Sequence, residues 1–294
     1  MKNLILFVGI FFANLALATD WNISCAKWGD DFEGGYCIHK PVNSTNQDVI
    51  YHFHGARGTE AFWQEKYYYP SQIRQYWDDN QLQAPTVISI SFGPFWLLAE
   101  KNSSEVSGLF EIFVNEIVPK IENSIGGVRG RRIVVGESMG GFNATQMALK
   151  TKLFQKAAFL CAPMVDKVSP YSSPAEIDAF IRASSAWQYY TAINDQQEVV
   201  GSVNSLLQIS KIFYPKPEDW AKANPLNLIR GLKSATELPP IYQTVGFYDP
   251  YAIYEGNEVF AKLLTRLSGQ LEWHPTWGGH CAFDIPSLSK FLVE

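Results

Sequence analysis

A chain of 294 residues with 47% hydrophobic and 18% charged residues has enough apolar material for one large buried core, so it is neither a disordered nor a disulfide-dominated miniature chain. A formal net charge of -5 without long basic runs excludes the clustered Lys/Arg face that a nucleic-acid partner requires. Aromatics reach 14%, with nine Trp, a high share of which a large core absorbs many. The surplus suits an aromatic-lined ligand cleft.

In chain order, the first segment reads as an address. Lys2 gives a basic start, Leu4 to Leu17 is apolar, and Ala16-Leu17-Ala18 supplies small residues at a cleavage site. Residues 1–18 are therefore expected to be a signal peptide, and 19–294 one domain. A retained anchor is the alternative, but the apolar run is short for a bilayer, so no stable membrane anchor is expected after cleavage. Export to a secreted or periplasmic location agrees with four cysteines. Cys25 and Cys37 flank Gly34-Gly35 and can staple a hairpin between Trp21 and Lys40. Cys161 and Cys281 are expected to pair with each other, and four reduced thiols are the alternative.

Residues Asp48 to Phe53 read as a strand that runs into the turn His54-Gly55-Ala56-Arg57-Gly58. Thr86 to Ser91 is a nearly continuous β-branched run, as in a strand buried on both faces. Phe92, Phe95 and Trp96 follow it and are expected to line a substrate cleft, continued by Trp63, Tyr67, Tyr68, Tyr69 and Trp77. Glu105 to Asn123 has helical spacing, with Ser103 or Ser104 as its cap and Pro119 as an interruption.

Arg131 to Val135 is the next strand, followed by a helix from about Gly141 to Lys150. Further strands are expected at Lys156 to Leu160, Pro240 to Val245 and Leu271 to His274, with a helix from Glu255 to Leu267. This alternation predicts an α/β fold with a mostly parallel central sheet and helices on both faces. Residues 163–237 break the rhythm with polar helical pieces around Pro174 to Tyr190 and Glu198 to Ile212. They read as a helical insertion, either a cap over the open end of the sheet or helices packed on its side.

Between the strand and helix lies Gly136-Glu137-Ser138-Met139-Gly140, a G-x-S-x-G elbow extended by Gly141. The pattern presents a hydroxyl on a sharp turn, with small residues where the backbone folds back and helix N–H groups where negative charge develops. Ser138 is the expected nucleophile. His280, in a Gly-rich loop after the last strand, is the expected base, with His274 as the alternative. Asp249, directly after the strand at 240–245, is the expected orienting acid, with Asp284 as the alternative. The Met139 amide and that of Ala56, with Arg57 next, are expected to form an oxyanion hole. His52 and His54 sit two apart, but no third ligand has suitable spacing. No metal or cofactor is expected.

These residues resemble the α/β-hydrolase superfamily, and within it the group that includes esterase D-like, feruloyl and acetyl-xylan esterases. The resemblance runs from about Asp48 to the C-terminus and rests on His54-Gly55, Gly136 to Gly141, Asp249 and His280. It implies an α/β-hydrolase fold and a serine carboxylic-ester hydrolase that works through an acyl-enzyme on a small acyl, aryl or carbohydrate ester. Acyl transfer by the same triad, or a catalytically silent fold used for binding, are the alternatives. Sequons occur at Asn22, Asn43, Asn102 and Asn143, the last in the helix after the elbow.

Overall fold

The computed structural model describes residues 19–29, 33–66, 68–100 and 108–294. The expected signal peptide, Tyr67, the Asn102 sequon and the Ser103/Ser104 cap lie outside the described residues.

The hydrophobic runs form one sheet of eight strands among the described residues: β1 (Trp21–Lys27), β2 (Gly35–Pro41), β3 (Val49–Phe53), β4 (Thr86–Ser91), β5 (Arg132–Glu137), β6 (Lys156–Leu160), β7 (Ile241–Thr244) and β8 (Leu271–Trp273). Their order is β1-β2-β4-β3-β5-β6-β7-β8. The β1–β2 and β2–β4 pairs are antiparallel, and every other pair is parallel. The chain moves outward from β3 to β4, then crosses back to β5 on the other side of β3. The carboxyl ends of β3 and β5 therefore flank the crevice where an open sheet of this kind receives ligands.

Both faces of the central strands are buried, which explains their lack of polar alternation. On β3, Ile50 joins Trp63, Ile73, Trp77, Leu288 and Phe291 on one side of the sheet. Tyr51 and Phe53 join Phe113, Phe142 and Phe159 on the other. The first face is covered by α1 (Tyr69–Asp79) and α11 (Ile285–Phe291), which pack on each other. The second is covered by α2 (Leu109–Ile112), α3 (Val118–Ser124), α4 (Met139–Lys150), α9 (Pro225–Gly231) and α10 (Tyr254–Arg266).

The interruption expected at Pro119 takes the form of a π turn, Phe113–Ile117, between α2 and α3. Proline has no N–H to give to residue 115, and widening the preceding turn re-routes the chain without breaking the rod.

Residues 163–237 form two groups of helices. Helices α5 (Pro174–Arg182), α6 (Ser185–Ala192) and α7 (Gln196–Phe213) enclose a separate apolar cluster of Ile181, Ala186, Val199, Val203 and Leu207. Helices α8 (Pro217–Ala223) and α9 instead lie against the sheet side, where Trp220 stacks on Phe142 of α4 at 6.0 Å between ring centroids.

The joint between the insertion and the sheet is tight. A Cβ at Gly256, in the first turn of α10, would lie 1.6 Å from the Met164 carbonyl oxygen. Gly256→Ala should therefore destabilise the protein by about 1–3 kcal/mol, read as a lower denaturant midpoint. Gly201→Ala, on α7 where a Cβ meets nothing within 4 Å, should be neutral or stabilising by up to about 1 kcal/mol. Equal midpoints for the two variants would contradict this packing.

Candidate active site

The site is built at the point where β5 turns into α4. A Cβ at Gly136 would lie 2.1 Å from the Gly140 carbonyl oxygen, and one at Gly140 would lie 1.9 Å from the Phe53 carbonyl oxygen. Only hydrogen fits at either place, so helix and strands meet backbone to backbone. Ser138, between them, is held at φ 52°, ψ -119°, a region L-residues rarely occupy. Its N–H donates to the Leu160 carbonyl at 2.8 Å, which ties the strained turn to β6.

Ser138 Oγ lies 2.8 Å from His280 Nε2, and His280 Nδ1 lies 2.7 Å from Asp249 Oδ2. Asp249 is fully buried, and its Oδ1 accepts the Tyr251 N–H at 3.0 Å. The carboxylate is thus fixed at both oxygens. The Tyr251 ring packs on the imidazole at 4.5 Å between centroids. His274 is elsewhere: it stacks on Tyr242 at 4.7 Å. Asp284 caps α11 by accepting the Ser287 N–H.

The turn after β3 faces Ser138. Within it the Arg57 N–H donates to the Pro94 carbonyl at 2.7 Å and the Gly55 N–H to Glu137 Oε1 at 2.7 Å. The intervening Ala56 borders the cleft beside Ser138. The Arg57 amide, the second donor considered, is engaged by Pro94.

Both histidines of β3 and its turn are engaged. His54 Nδ1 donates to the Gly55 carbonyl at 2.6 Å, and its Nε2 accepts from Trp96 Nε1 at 3.2 Å. Burial pushes its pKa down, which favours the neutral ring that this pairing requires. His52 bridges Ser89 Oγ at 3.2 Å and Glu137 Oε2 at 2.9 Å. Two histidines held this way serve as struts of the turn.

Glu137 is the residue that sequence reasoning missed. It occupies a variable place in the elbow motif, so no pattern marks it. Its buried carboxylate accepts from Gly55 N, from Tyr69 Oη at 2.7 Å and from His52. Burial, and then the neighbouring carboxylate, push the Tyr69 pKa well above the ordinary range.

The aromatic wall needs correction. Phe92 and Trp96 are core residues: Phe92 stacks on Trp28 at 5.1 Å, and Trp96 packs edge-on to Phe53 at 5.4 Å. Both are more than nine-tenths buried because the segment turns inward after β4. Only Phe95 faces the cavity next to Ser138. Trp63 and Trp77 stack on each other inside the core on the α1 and α11 side of the sheet, whereas Tyr68 and Tyr69 do border the cleft. Asn143 is fully buried and hydrogen-bonded to Leu98 N, so it is closed to modification.

Two openings meet at Ser138. One is a cleft of about 580 Å³ reaching Arg57, Glu65, Tyr68 and Gln72. The other is a cavity of about 60 Å³ between Phe95, Leu97, Phe142, Pro163 and helix α7.

Cys25 is bonded to Cys37 across directly opposed positions of β1 and β2. Cys161 is bonded to Cys281 over a separation of 120 residues. The second bridge joins the end of β6 to the residue after His280. Its removal should loosen the imidazole, so Cys161→Ala/Cys281→Ala should react with a fluorophosphonate at Ser138 about 10-fold more slowly while still folded. Cys25→Ala/Cys37→Ala should react at the unaltered rate with a lower melting temperature. Slower labelling in the second variant but not the first would reverse the assignment.

No family model matches the chain, and no curated protein sequence does. Solved structures do. A ferulic acid esterase superposes with a TM-score of 0.62 at 13% identity, covering 94% of each chain. An arylesterase gives 0.57 at 16% identity, covering 95% of this chain and 84% of its own. The fluorophosphonate-binding serine hydrolase F of Staphylococcus aureus gives 0.58 at 14% identity, covering 93% and 97%. Likeness over nearly the whole chain, with the strand order and crossover described above, establishes that the chain has the α/β-hydrolase fold.

Proposed function

We propose that this chain is an exported serine esterase that cleaves carboxylic esters through an acyl-enzyme. The observation that carries the reading is the unbroken relay from Ser138 Oγ through His280 to Asp249, at 2.8 and 2.7 Å. A buried carboxylate on Nδ1 fixes the imidazole tautomer that leaves Nε2 free to take a proton. The esterase and serine-hydrolase names of the structural neighbours support the same class.

In this reading His280 Nε2 takes the proton of Ser138 as Oγ attacks the ester carbonyl carbon. The carbonyl oxygen gains the negative charge and lies against the Ala56 and Met139 amides, at the positive end of α4. The tetrahedral centre collapses, the carbon–oxygen bond to the alcohol breaks, and His280 gives its proton to the departing alkoxide. Water, deprotonated by His280, then attacks the acyl-Ser138 carbonyl. The acid is released and Ser138 regains its proton. The open cleft beside Ser138 gives water a route in, which favours hydrolysis over transfer to another acceptor. Two disulfides and the signal-like start support export. Among the described residues no helix is long and apolar enough to cross a membrane.

Purified protein should hydrolyse p-nitrophenyl esters. Ser138→Ala and His280→Ala should each lower kcat by about 10⁴-fold or more, and His274→Ala should retain activity. Loss of activity in His274→Ala with retention in His280→Ala would move the base.

Glu137 acts as a positioning residue, because it holds the turn that carries Ala56. Glu137→Gln keeps the size but puts an NH₂ group against hydrogen-bond donors. It should lower kcat by about 10- to 100-fold with KM nearly unchanged, since the oxyanion contact strengthens only in the transition state. A change confined to KM would assign Glu137 to substrate binding instead.

A further inference from the structure

We propose that Cys161, Cys281 and His280 form a redox-gated site for a soft divalent cation of the zinc class, closed while the Cys161–Cys281 bridge is intact and open once it is reduced. The site controls the Ser138 relay and does so for any substrate that the relay serves.

Among the described residues these three form the one group of His, Cys, Asp and Glu side chains close enough to share a metal ion, with one ligand atom from each lying within 4.8 Å of the others. Two thiolates and an imidazole suit zinc, and three protein ligands leave a fourth position to water, which the cleft supplies. Cys161 follows β6, and its N–H donates to the Thr244 carbonyl of β7 at 2.8 Å. The loop that carries His280 and Cys281 is tied to the Asp249 loop by the bond from Tyr248 N to Gly278 O at 2.9 Å. Backbone bonds therefore keep the ligands together when the sulfur–sulfur bond is absent. Tetrahedral zinc with bonds of about 2.3 Å sets its two sulfurs about 3.8 Å apart. Side-chain rotation reaches that separation from the Cα–Cα distance of 5.1 Å.

The bridge is reducible from the cleft, because Cys281 borders it whereas Cys161 is fully buried. A dithiol reductant entering the cleft attacks Cys281 Sγ as its thiolate. The bridge breaks, and the Cys161 sulfur departs and takes a proton. The second thiol of the reductant then attacks the mixed disulfide. Cys281 is released as a thiol, the reductant becomes a cyclic disulfide, and two electrons have passed to the protein. Zinc then displaces one proton from each cysteine thiol.

Metal on His280 stops the relay whichever ring nitrogen it takes. Nε2 is the atom 2.8 Å from Ser138 Oγ, and Nδ1 is held by Asp249 at 2.7 Å. Occupation of the first removes the proton acceptor. Occupation of the second displaces the carboxylate that fixes the ring. For an exported chain the site belongs to the time before export, when thiols stay reduced, and bridge formation abolishes it.

In the experiment, protein is reduced with dithiothreitol and desalted without oxygen, beside oxidised protein and reduced Cys161→Ala/Cys281→Ala. Cobalt(II), a spectroscopic substitute for zinc, should give thiolate-to-metal charge-transfer absorption with the reduced natural protein alone. Zinc at about 100 times its Kd should lower fluorophosphonate labelling of Ser138 in that sample about 100-fold, and a chelator should restore it. Labelling of the oxidised protein and of the double variant should not respond to zinc. Absence of the cobalt absorption would overturn the proposal. So would equal absorption in the double variant, which would assign the metal to Cys25 and Cys37. Absorption with labelling unaffected by zinc would overturn the role of His280. Complete loss of labelling on reduction alone would also overturn the proposal, since the ligands would then not be held together without the bridge. Oxidised protein that is never labelled would defeat the serine-esterase reading, and the cobalt absorption would still decide the metal site.

Discussion

Helix α4 approaches strands β3 and β5 with no room between the backbones for a side chain. Gly136 and Gly140 make this possible, since a Cβ at either would sit about 2 Å from a carbonyl oxygen. The geometry around Ser138 follows from that approach. It forces Ser138 into its strained conformation and raises its hydroxyl clear of the turn. It also brings the amino end of α4 beside the loop after β3. Strain of this kind costs of order 1–3 kcal/mol and persists only where the surroundings over-determine it. Here the hydrogen bond from Ser138 N to Leu160 and the buried packing of α4 supply that determination.

The second demand is electrostatic. A carboxylate buried beside Ser138 is costly unless its lone pairs are satisfied. Glu137 receives three donors, His52 and Gly55 from β3 and its turn and Tyr69 from α1. The same network that satisfies the charge also locks the β3 turn against the elbow. Neutral His54 braces the turn from its other side through Gly55 and Trp96. Geometry at the reacting centre is thus enforced by groups that never touch it.

The carboxyl-end loops of β7 and β8 complete the site. Asp249 and His280 lie 31 residues apart, yet the loops carrying them are joined by backbone bonds from Phe247 N to Thr276 O and from Tyr248 N to Gly278 O. The Cys161–Cys281 bridge ties the same region to β6. Asp249, His280 and Ser138 are therefore held on one framework.

The sequence by itself determined the strands, the elbow and the chain order of serine, aspartate and histidine, because these depend on local rules. β-branched runs, helical periodicity and small residues around a nucleophile are visible in a few consecutive residues. It could not decide which aromatics face the ligand. Phe92, Phe95 and Trp96 are indistinguishable as letters, and only the inward turn of the chain buries two and exposes one. It could not reveal Glu137, whose importance lies in donors 68 to 85 residues away. Nor could it divide residues 163–237 between a separate helical cluster and the flank of the sheet. The size of the cavity at Ser138 is set by α7 against α4 and the β4 loop. Distances between segments remote in sequence belong to packing, and only the tertiary structure supplies them.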